Sequence, residues 1–213
     1  MKNNLLAITK EGWSYIICSI SFFIVFAILG FDYLQFFTFL LILFFLFIFR
    51  NPQRQQQYYQ DNSVTSPVDG VITSIKELKN NDYLYKIEIN SSYMDVSLLR
   101  VPFNSSIECL AKQNGARLSI HSSLSKNLNE NVELIFIDKK SNKLKILHRL
   151  KQSFMSLHIK PITFKNIKQG SKYGIMLNGT TTIYLPKNFR LNVDTGNEVT
   201  ASESLIGYFT KTH

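Results

Sequence analysis

From Trp13 to Phe49 the chain is almost unbroken aromatic and aliphatic residues, interrupted only at Gly30-Phe31-Asp32. A single straight helix of that length, at ~1.5 Å per residue, would be over 50 Å long against a hydrocarbon core of ~30 Å. The pattern therefore predicts two membrane crossings, roughly 13–29 and 33–49, hinged at 30–32. After residue 50 the periodicity changes to two. Strand-like runs fall at 71–75, 83–89, 96–101, 107–111, 117–120, 132–137, 144–148, 154–159, 173–177, 181–185, 191–193 and 198–209. Residues 123–131 read as a loop or short helix. So many short strands, with turn residues about every ten positions, predict a mainly β sandwich or barrel.

Two of these runs meet at Asn178-Gly179-Thr180. An Asn-Gly pair between β-formers is the strongest short-range hairpin signal, because both residues tolerate positive φ. A second reading of the same tripeptide is chemical. A peptide bond between a glycine and a hydroxyl residue, held in a strained turn, is where a backbone can cut itself. The Thr180 hydroxyl would attack the Gly179 carbonyl to give an ester, and elimination would then leave an α-keto acyl group at the new N-terminus.

Three domains follow from the pattern: an anchoring helical hairpin at 1–50, a polar linker at 51–63 and a β-rich domain at 64–213. Lys2 and Lys10 precede the first apolar run, Arg50 and Arg54 follow the second, and the hinge has no cation. Positive-inside asymmetry then places both ends in the cytoplasm and the β domain on the cytoplasmic face of the inner membrane. A cleaved signal peptide fits poorly, since the apolar region is too long and no small-x-small site follows it.

Charge sharpens the choice of partner. After residue 50 the chain carries 21 Lys and Arg against 13 Asp and Glu. Such a surface attracts phosphate, and the adjacent anchor favours anionic lipid over nucleic acid. The cluster Lys139, Lys140, Lys143, Lys145, Arg149 and Lys151 is the expected contact. Cys18 and Cys109 make no disulfide framework. His121, His148, His158 and His213 have no metal-ligand spacing, and no P-loop, dinucleotide fingerprint or nucleophile elbow is present.

Five ordered segments carry a resemblance. Phe49-Arg50-Asn51-Pro52-Gln53-Arg54 is similar to Phe-Arg-Asp-Pro-x-Arg, and Ser66-Pro67-Val68-Asp69-Gly70 to Ser-Pro-Ala-Asp-Gly. Asp95-Val96-Ser97-Leu98-Leu99-Arg100-Val101-Pro102 falls where Asn-Val-His-x-Asn-Arg-x-Pro is expected, and Asn129-Glu130-Asn131 near Asn-Glu-Arg-Asn. Gly174 through Pro186 is similar to Gly-Leu-Ile-x-Phe-Gly-Ser through Pro. Together they resemble the short, membrane-anchored form of the phosphatidylserine decarboxylase family.

The resemblance implies a self-processing zymogen and carboxy-lyase of phospholipid biosynthesis that makes phosphatidylethanolamine from phosphatidylserine. Its cofactor is a self-derived pyruvoyl group, with no metal. Carried over, Gly179 supplies the carbonyl attacked, Thr180 the nucleophile and Asp69 the carboxylate that orients or activates the proton acceptor, while Arg100 and Asn131 bind substrate. The segments 65–72 and 193–201 look like halves of a lipoyl-type hammerhead. A homo-oligomer is compatible with all of this.

The departures are specific. Maturation through Thr180 would leave 2-oxobutanoyl in place of pyruvoyl. Ser97 stands where the family has histidine, and a serine cannot exchange a proton near neutral pH as imidazole does. Leu99 replaces an asparagine, while Glu130 stands where the family has arginine. Two readings stay open: a decarboxylase, or a non-catalytic relative that binds phospholipid or a partner without cutting itself. His121 and His158 are the alternative imidazoles.

Overall fold

A computed structural model of the chain describes residues 7–54, 60, 62–79, 82–119, 122, 124–160 and 166–210. The chain divides into two units, Met1–Gln53 and Arg54–His213. Residues 55–59 and 61 of the expected linker lie outside the described residues, as do His121 and His213.

In the first unit α1 (Trp13–Leu29) and α2 (Asp32–Ile48) are joined by Gly30, whose φ of 72° gives α1 a left-handed C-cap. The helices touch through Phe23 on Phe39 and Tyr15 on Phe45. Ser19 and Thr38 donate their hydroxyls to the carbonyls of Tyr15 and Leu34, so neither is left unsatisfied among apolar neighbours. Lys10–Leu29 is long and apolar enough to cross a membrane; α2 is an apolar helix of 17 residues.

The second unit is mainly β. Its strands are β1 (Ser63–Thr65), β2 (Gly70–Glu77), β3 (Tyr85–Ser91), β4 (Leu98–Arg100), β5 (Ser106–Gln113), β6 (Asn131–Ile137) and β7 (Lys143–Leu150). They continue with β8 (His158–Ile159), β9 (Lys172–Ile175), β10 (Gly179–Leu185), β11 (Phe189–Leu191), β12 (Glu198–Val199) and β13 (Leu205–Phe209). One short helix, α3 (Ser125–Leu128), precedes β6. A seven-stranded antiparallel sheet runs β12-β2-β3-β10-β7-β6-β5. Two three-stranded sheets, β1-β13-β11 and β4-β9-β8, complete the unit.

Alternation builds the core. Val132, Leu134 and Phe136 of β6, Leu144, Ile146, His148 and Leu150 of β7 and Thr181, Ile183 and Leu185 of β10 are all buried. They share one face of the large sheet, as the period-two rule requires. In the same core cluster, Leu99, Val101, Tyr173, Ile206 and Phe209 come from the smaller sheets and their flanks. Phe136 meets Tyr173 at 5.7 Å, and Phe103 meets Phe209 edge-on at 5.3 Å.

The Asn178-Gly179 hairpin does not form. β9 pairs with β4 and β8, whereas β10 pairs with β3 and β7, so the segment 176–178 passes between sheets. Neither Asn178 nor Gly179 has positive φ. The Asn178 carbonyl instead accepts from Lys151 N–H at 3.0 Å, and its side chain donates to the Gln152 carbonyl at 2.8 Å. Partners distant in sequence won over the local turn preference.

Of the expected strands at 117–120 and 154–159, the described residues 117–119 and 154–157 are loop, and only His158–Ile159 is paired. Leu118 spends its N–H and C=O on the side chain of buried Asn129, which also donates to the Leu150 carbonyl.

Candidate active site at one end of the central sheet

Antiparallel pairing gathers particular chain ends together. The C-terminal ends of β3, β5, β7 and β12 and the N-terminal ends of β2, β6 and β10 all lie at the same end of the large sheet. Gly179 and Thr180 open β10, the middle strand of the seven.

Register places Thr180 in a row that crosses the whole sheet: Glu198, Val71, Asn90, Thr180, Arg149, Asn131 and Gln113. Asn131, an expected substrate-binding residue, is therefore two strands from Thr180, or about 10 Å at the usual strand spacing. Its amide donates to Gln113 Oε1 and to the Asn129 carbonyl, both at 3.1 Å.

Beside Thr180 the row is cationic. Lys151 donates to Asn90 Oδ1, and burial pushes its ammonium below the usual lysine range, with Asp95 opposing the shift. Arg149 Nε is buried without a hydrogen-bond acceptor among the described residues. Sequence reading missed this pair as site residues by merging them with a single basic cluster. In the fold that cluster is dispersed. Lys139 and Lys140 sit in the β6–β7 turn at the far end of the sheet, and Lys143 and Lys145 pair with Glu108 and Glu133 at 3.3 and 2.7 Å.

Gly179 is glycine for steric reasons. A Cβ there would run into Met176 Sδ and come within 2.7 Å of the Arg149 carbonyl. Met176 also connects Ser97 to the site, since its N–H donates to the Ser97 carbonyl at 2.8 Å. Ser97 is buried and lies just before β4, so the position expected to hold the family histidine is within three residues, along Met176, of the Gly179-Thr180 bond.

Asp69 reaches the same end by the turn before β2. Gly70, with φ of 150°, has no room for a Cβ against the Asn90 carbonyl, which accounts for the Asp-Gly pair. The Asp69 carbonyl accepts from Ser91 Oγ at 2.6 Å, and Ser91 pairs with Gly179. Its carboxylate is fully engaged: Oδ2 accepts from Arg54 at 2.5 Å and Oδ1 from Ala201 N–H at 2.8 Å. Arg54 also holds Glu203 at 3.0 Å. Arg100 belongs to this charged cluster rather than to the Thr180 row. It is buried, donates to the Gly170 carbonyl at 3.2 Å, and its guanidinium is pushed below the usual range by burial and then by Arg54.

On the opposite, core-facing side of β10 lies a polar network that sequence reading did not assign. His148 Nδ1 is 2.8 Å from Thr181 Oγ1 and Nε2 is 2.5 Å from Tyr173 OH, with all three side chains fully buried. Burial pushes the imidazole down to about 3 and the phenol well above its ordinary value. The phenol, a better donor than an alcohol, donates to Nε2, which leaves Nδ1–H to donate to Thr181. The signal was present in the alternation of β7, where 144, 146, 148 and 150 share the inward face. His158 is exposed on β8, opposite Ile175.

Among the described residues no group of three or more His, Cys, Asp or Glu is arranged to hold a metal ion. A cleft of about 540 Å³ lined by Ile75, Leu191, Asn192, Val193, Asp194 and Thr195 includes none of the candidate residues.

Comparison with known proteins agrees with the motif order. The chain is 27% identical over 211 residues to a phosphatidylserine decarboxylase proenzyme of Geotalea uraniireducens, covering 97% of this chain and 99% of the relative. It is 29% identical over 212 residues to the proenzyme of Carboxydothermus hydrogenoformans, covering 95% and 96%. The Ehrlichia canis proenzyme is 30% identical over 170 residues, covering 76% and 74%. No solved structure gives a significant match. The phosphatidylserine decarboxylase family model matches residues 41–207, from within α2 to β13 and well over half of the chain, and the chain belongs to the phosphatidylserine decarboxylase family.

Proposed function

We propose that the chain is a self-processing phosphatidylserine decarboxylase that cuts itself between Gly179 and Thr180. The observation that carries this reading is the placement of that bond at the start of the central strand, at the sheet end where Asp69 and Ser97 also lie. Thr180 Oγ attacks the Gly179 carbonyl carbon, the 179–180 C–N bond breaks and an ester forms. Elimination releases the Gly179 carboxylate, and hydrolysis of the resulting dehydro residue releases ammonia and leaves a 2-oxobutanoyl group on residue 180.

The missing Cβ at Gly179 suits this group, because it leaves the reacting carbonyl uncrowded beside Met176. When formed, the group supplies an electron sink for loss of carbon dioxide. The protein's own residues supply binding and proton control. Arg149 and Lys151, flanking Thr180, suit the phosphate and carboxylate of the substrate headgroup, with Asn131 further along the row. Asp69, fixed by Arg54, orients the proton acceptor for the cut.

The apolar helices anchor the β unit as a two-pass hairpin on the cytoplasmic face of the inner membrane, in keeping with the cations that flank them. Pairing of β2 with β12 supports reading the turns before and after them as matched, hammerhead-like elements.

One observation favours the non-catalytic alternative. Ser97 provides no imidazole, and losing a general acid or base typically costs ~10²–10⁴-fold. Intact-mass analysis of the purified chain separates the readings. The 24.6 kDa chain is expected as two pieces, the larger ending at Gly179 and the smaller starting at a blocked residue 180. Thr180→Ala should abolish the cut and Thr180→Ser keep or accelerate it. An uncut chain after prolonged incubation with lipid refutes self-processing. A cut chain that releases no carbon dioxide from phosphatidylserine places the defect at Ser97, and Ser97→His with Thr180→Ser should then restore turnover.

A further inference from the structure

The two ends of the seven-stranded sheet differ in character. Among the described residues of the β unit, six large apolar side chains are strongly exposed: Val71, Met94, Leu110, Leu124, Leu128 and Phe154. Five of them lie at the Thr180 end. Met94 follows β3, Leu124 and Leu128 lie between β5 and β6, Phe154 follows β7, and Val71 is the second residue of β2, in the same row as Thr180. Met94 is 70% exposed, Leu124 56% and Leu128 49%. At the other end, the β6–β7 turn is Asp138-Lys139-Lys140-Ser141-Asn142, and none of the described residues there is a strongly exposed large apolar one.

These apolar tips are tied to one another and to the site. Tyr93 stacks on Phe154 at 5.9 Å and donates to the Gln152 carbonyl, the same carbonyl that Asn178 uses. Arg117 donates to the Ser153 carbonyl and Ser156 Oγ, and its neighbour Ala116 donates to the Leu128 carbonyl. The loop 92–95, the described residues 116–119 and 124–128 and the loop 151–156 thus form a braced rim rather than separate protrusions. Lys126 and Lys151 add positive charge among them.

We propose that this rim is a docking surface for a phospholipid bilayer, with Met94, Leu124, Leu128 and Phe154 entering the interfacial layer and Lys126 and Lys151 meeting headgroup phosphates. A set of exposed apolar side chains with Lys126 and Lys151 among them, on a unit with a net positive charge, matches the chemistry of that surface. The proposal rests on the reading of the Thr180 end as a site acting on membrane phospholipid. It answers a problem that reading creates: a headgroup must reach the sheet end without its acyl chains leaving the bilayer. An apolar rim seated in the interface brings Thr180, Arg149 and Lys151 to headgroup depth.

The test uses the full chain reconstituted into vesicles of phosphatidylcholine and phosphatidylglycerol, doped with a lipid that carries a diazirine near the top of its acyl chain. After photolysis, lipid adducts are expected on peptides covering 92–95, 124–128 and 152–155, several-fold above those on 138–142. In Met94→Asp with Phe154→Asp the rim adducts should fall several-fold while those on α1 and α2 persist. Equal labelling of the two ends, or adducts confined to 13–49, would overturn the proposal. So would efficient disulfide cross-linking between copies of Phe154→Cys chains in the same vesicles, which would assign the rim to a second copy. A fluorophore on Met94→Cys, in a Cys18→Ser and Cys109→Ser background, gives a second reading. Its emission should shift to the blue on reconstitution, while one on Lys140→Cys keeps its emission in water. Neither readout needs self-cleavage, so an inserted rim on an uncut chain would sink the decarboxylase reading alone, and a cut chain with a dry rim would sink the docking alone.

Discussion

His148 makes the stability of the β unit depend on pH in a way that can be worked out in advance. The imidazole is fully buried between Thr181 and Tyr173, and burial takes it from an ordinary 6.5 to about 3. A base with a folded value below its unfolded one binds more protons when unfolded at every pH between the two. Its contribution is therefore complete above 6.5 and is lost as pH falls from 6.5 toward 3. Each pH unit in that window corresponds to about 1.4 kcal/mol, so acidification from 6.5 to 4.5 should remove about 2–3 kcal/mol through this residue alone. Urea unfolding of the full chain in a nonionic detergent, followed by tyrosine near-ultraviolet dichroism, measures it against His148→Gln. Carboxylates common to both chains cancel in the comparison. The wild type should lose about 2–3 kcal/mol more than the variant over that range. Parallel pH profiles, or an imidazole that titrates between 6 and 7 in the folded chain, would refute the reasoning.

Arg54→Gln removes the partner of the largely buried Asp69 carboxylate and of the half-buried Glu203, and should cost roughly 3 kcal/mol, mostly through Asp69, in the same unfolding assay; a loss below about 0.5 kcal/mol, the range of a surface pair, would show the cluster to be solvated. Gly179→Ala drives a methyl into Met176 Sδ and toward the Arg149 carbonyl, and should cost about 1–3 kcal/mol and slow any cut at residue 180; Met176→Ala added to it should recover only part of the loss, because the backbone contact remains.

The β architecture was legible where burial imposes alternation. In β6 and β7 every second residue is buried, and the apolar run of each strand announces its inward face. Where backbone groups are spent on side chains, the same composition misled: 117–120 reads as a strand, yet Leu118 bonds to Asn129. The Asn178-Gly179 turn misled for the opposite reason. Its local preference is real, but β10 is paired on both edges, with β3 and β7, and is buried at five of its seven residues there. For the candidate site, motif order singled out Asp69, Gly179 and Thr180, and the fold brings the three to one end of the large sheet. Arg54 as an Asp69 partner was not, because its two carboxylates lie 15 and 149 residues away in sequence.

The run Thr180-Thr181-Thr182 shows how the fold resolves what the sequence leaves degenerate. Three identical residues offer three hydroxyls, and a slip of one position would exchange their faces. Thr181 is held inward by His148, so Thr180 is set on the opposite face, in the row with Asn90 and Arg149. The same arrangement withholds His148 from catalysis at Thr180. It lies across the sheet, both its nitrogens are engaged, and an imidazole with a value of about 3 is a weak base at neutral pH. An imidazole serving Thr180 must therefore come from elsewhere, and Ser97 occupies the position that Met176 joins to it. With Ser97 there and Asp69 held by Arg54 and the Ala201 N–H, the cut proposed above would run on slow proton transfer. A single turnover tolerates so slow a route, whereas repeated decarboxylation does not. The loss of histidine should accordingly weigh far more on turnover than on maturation.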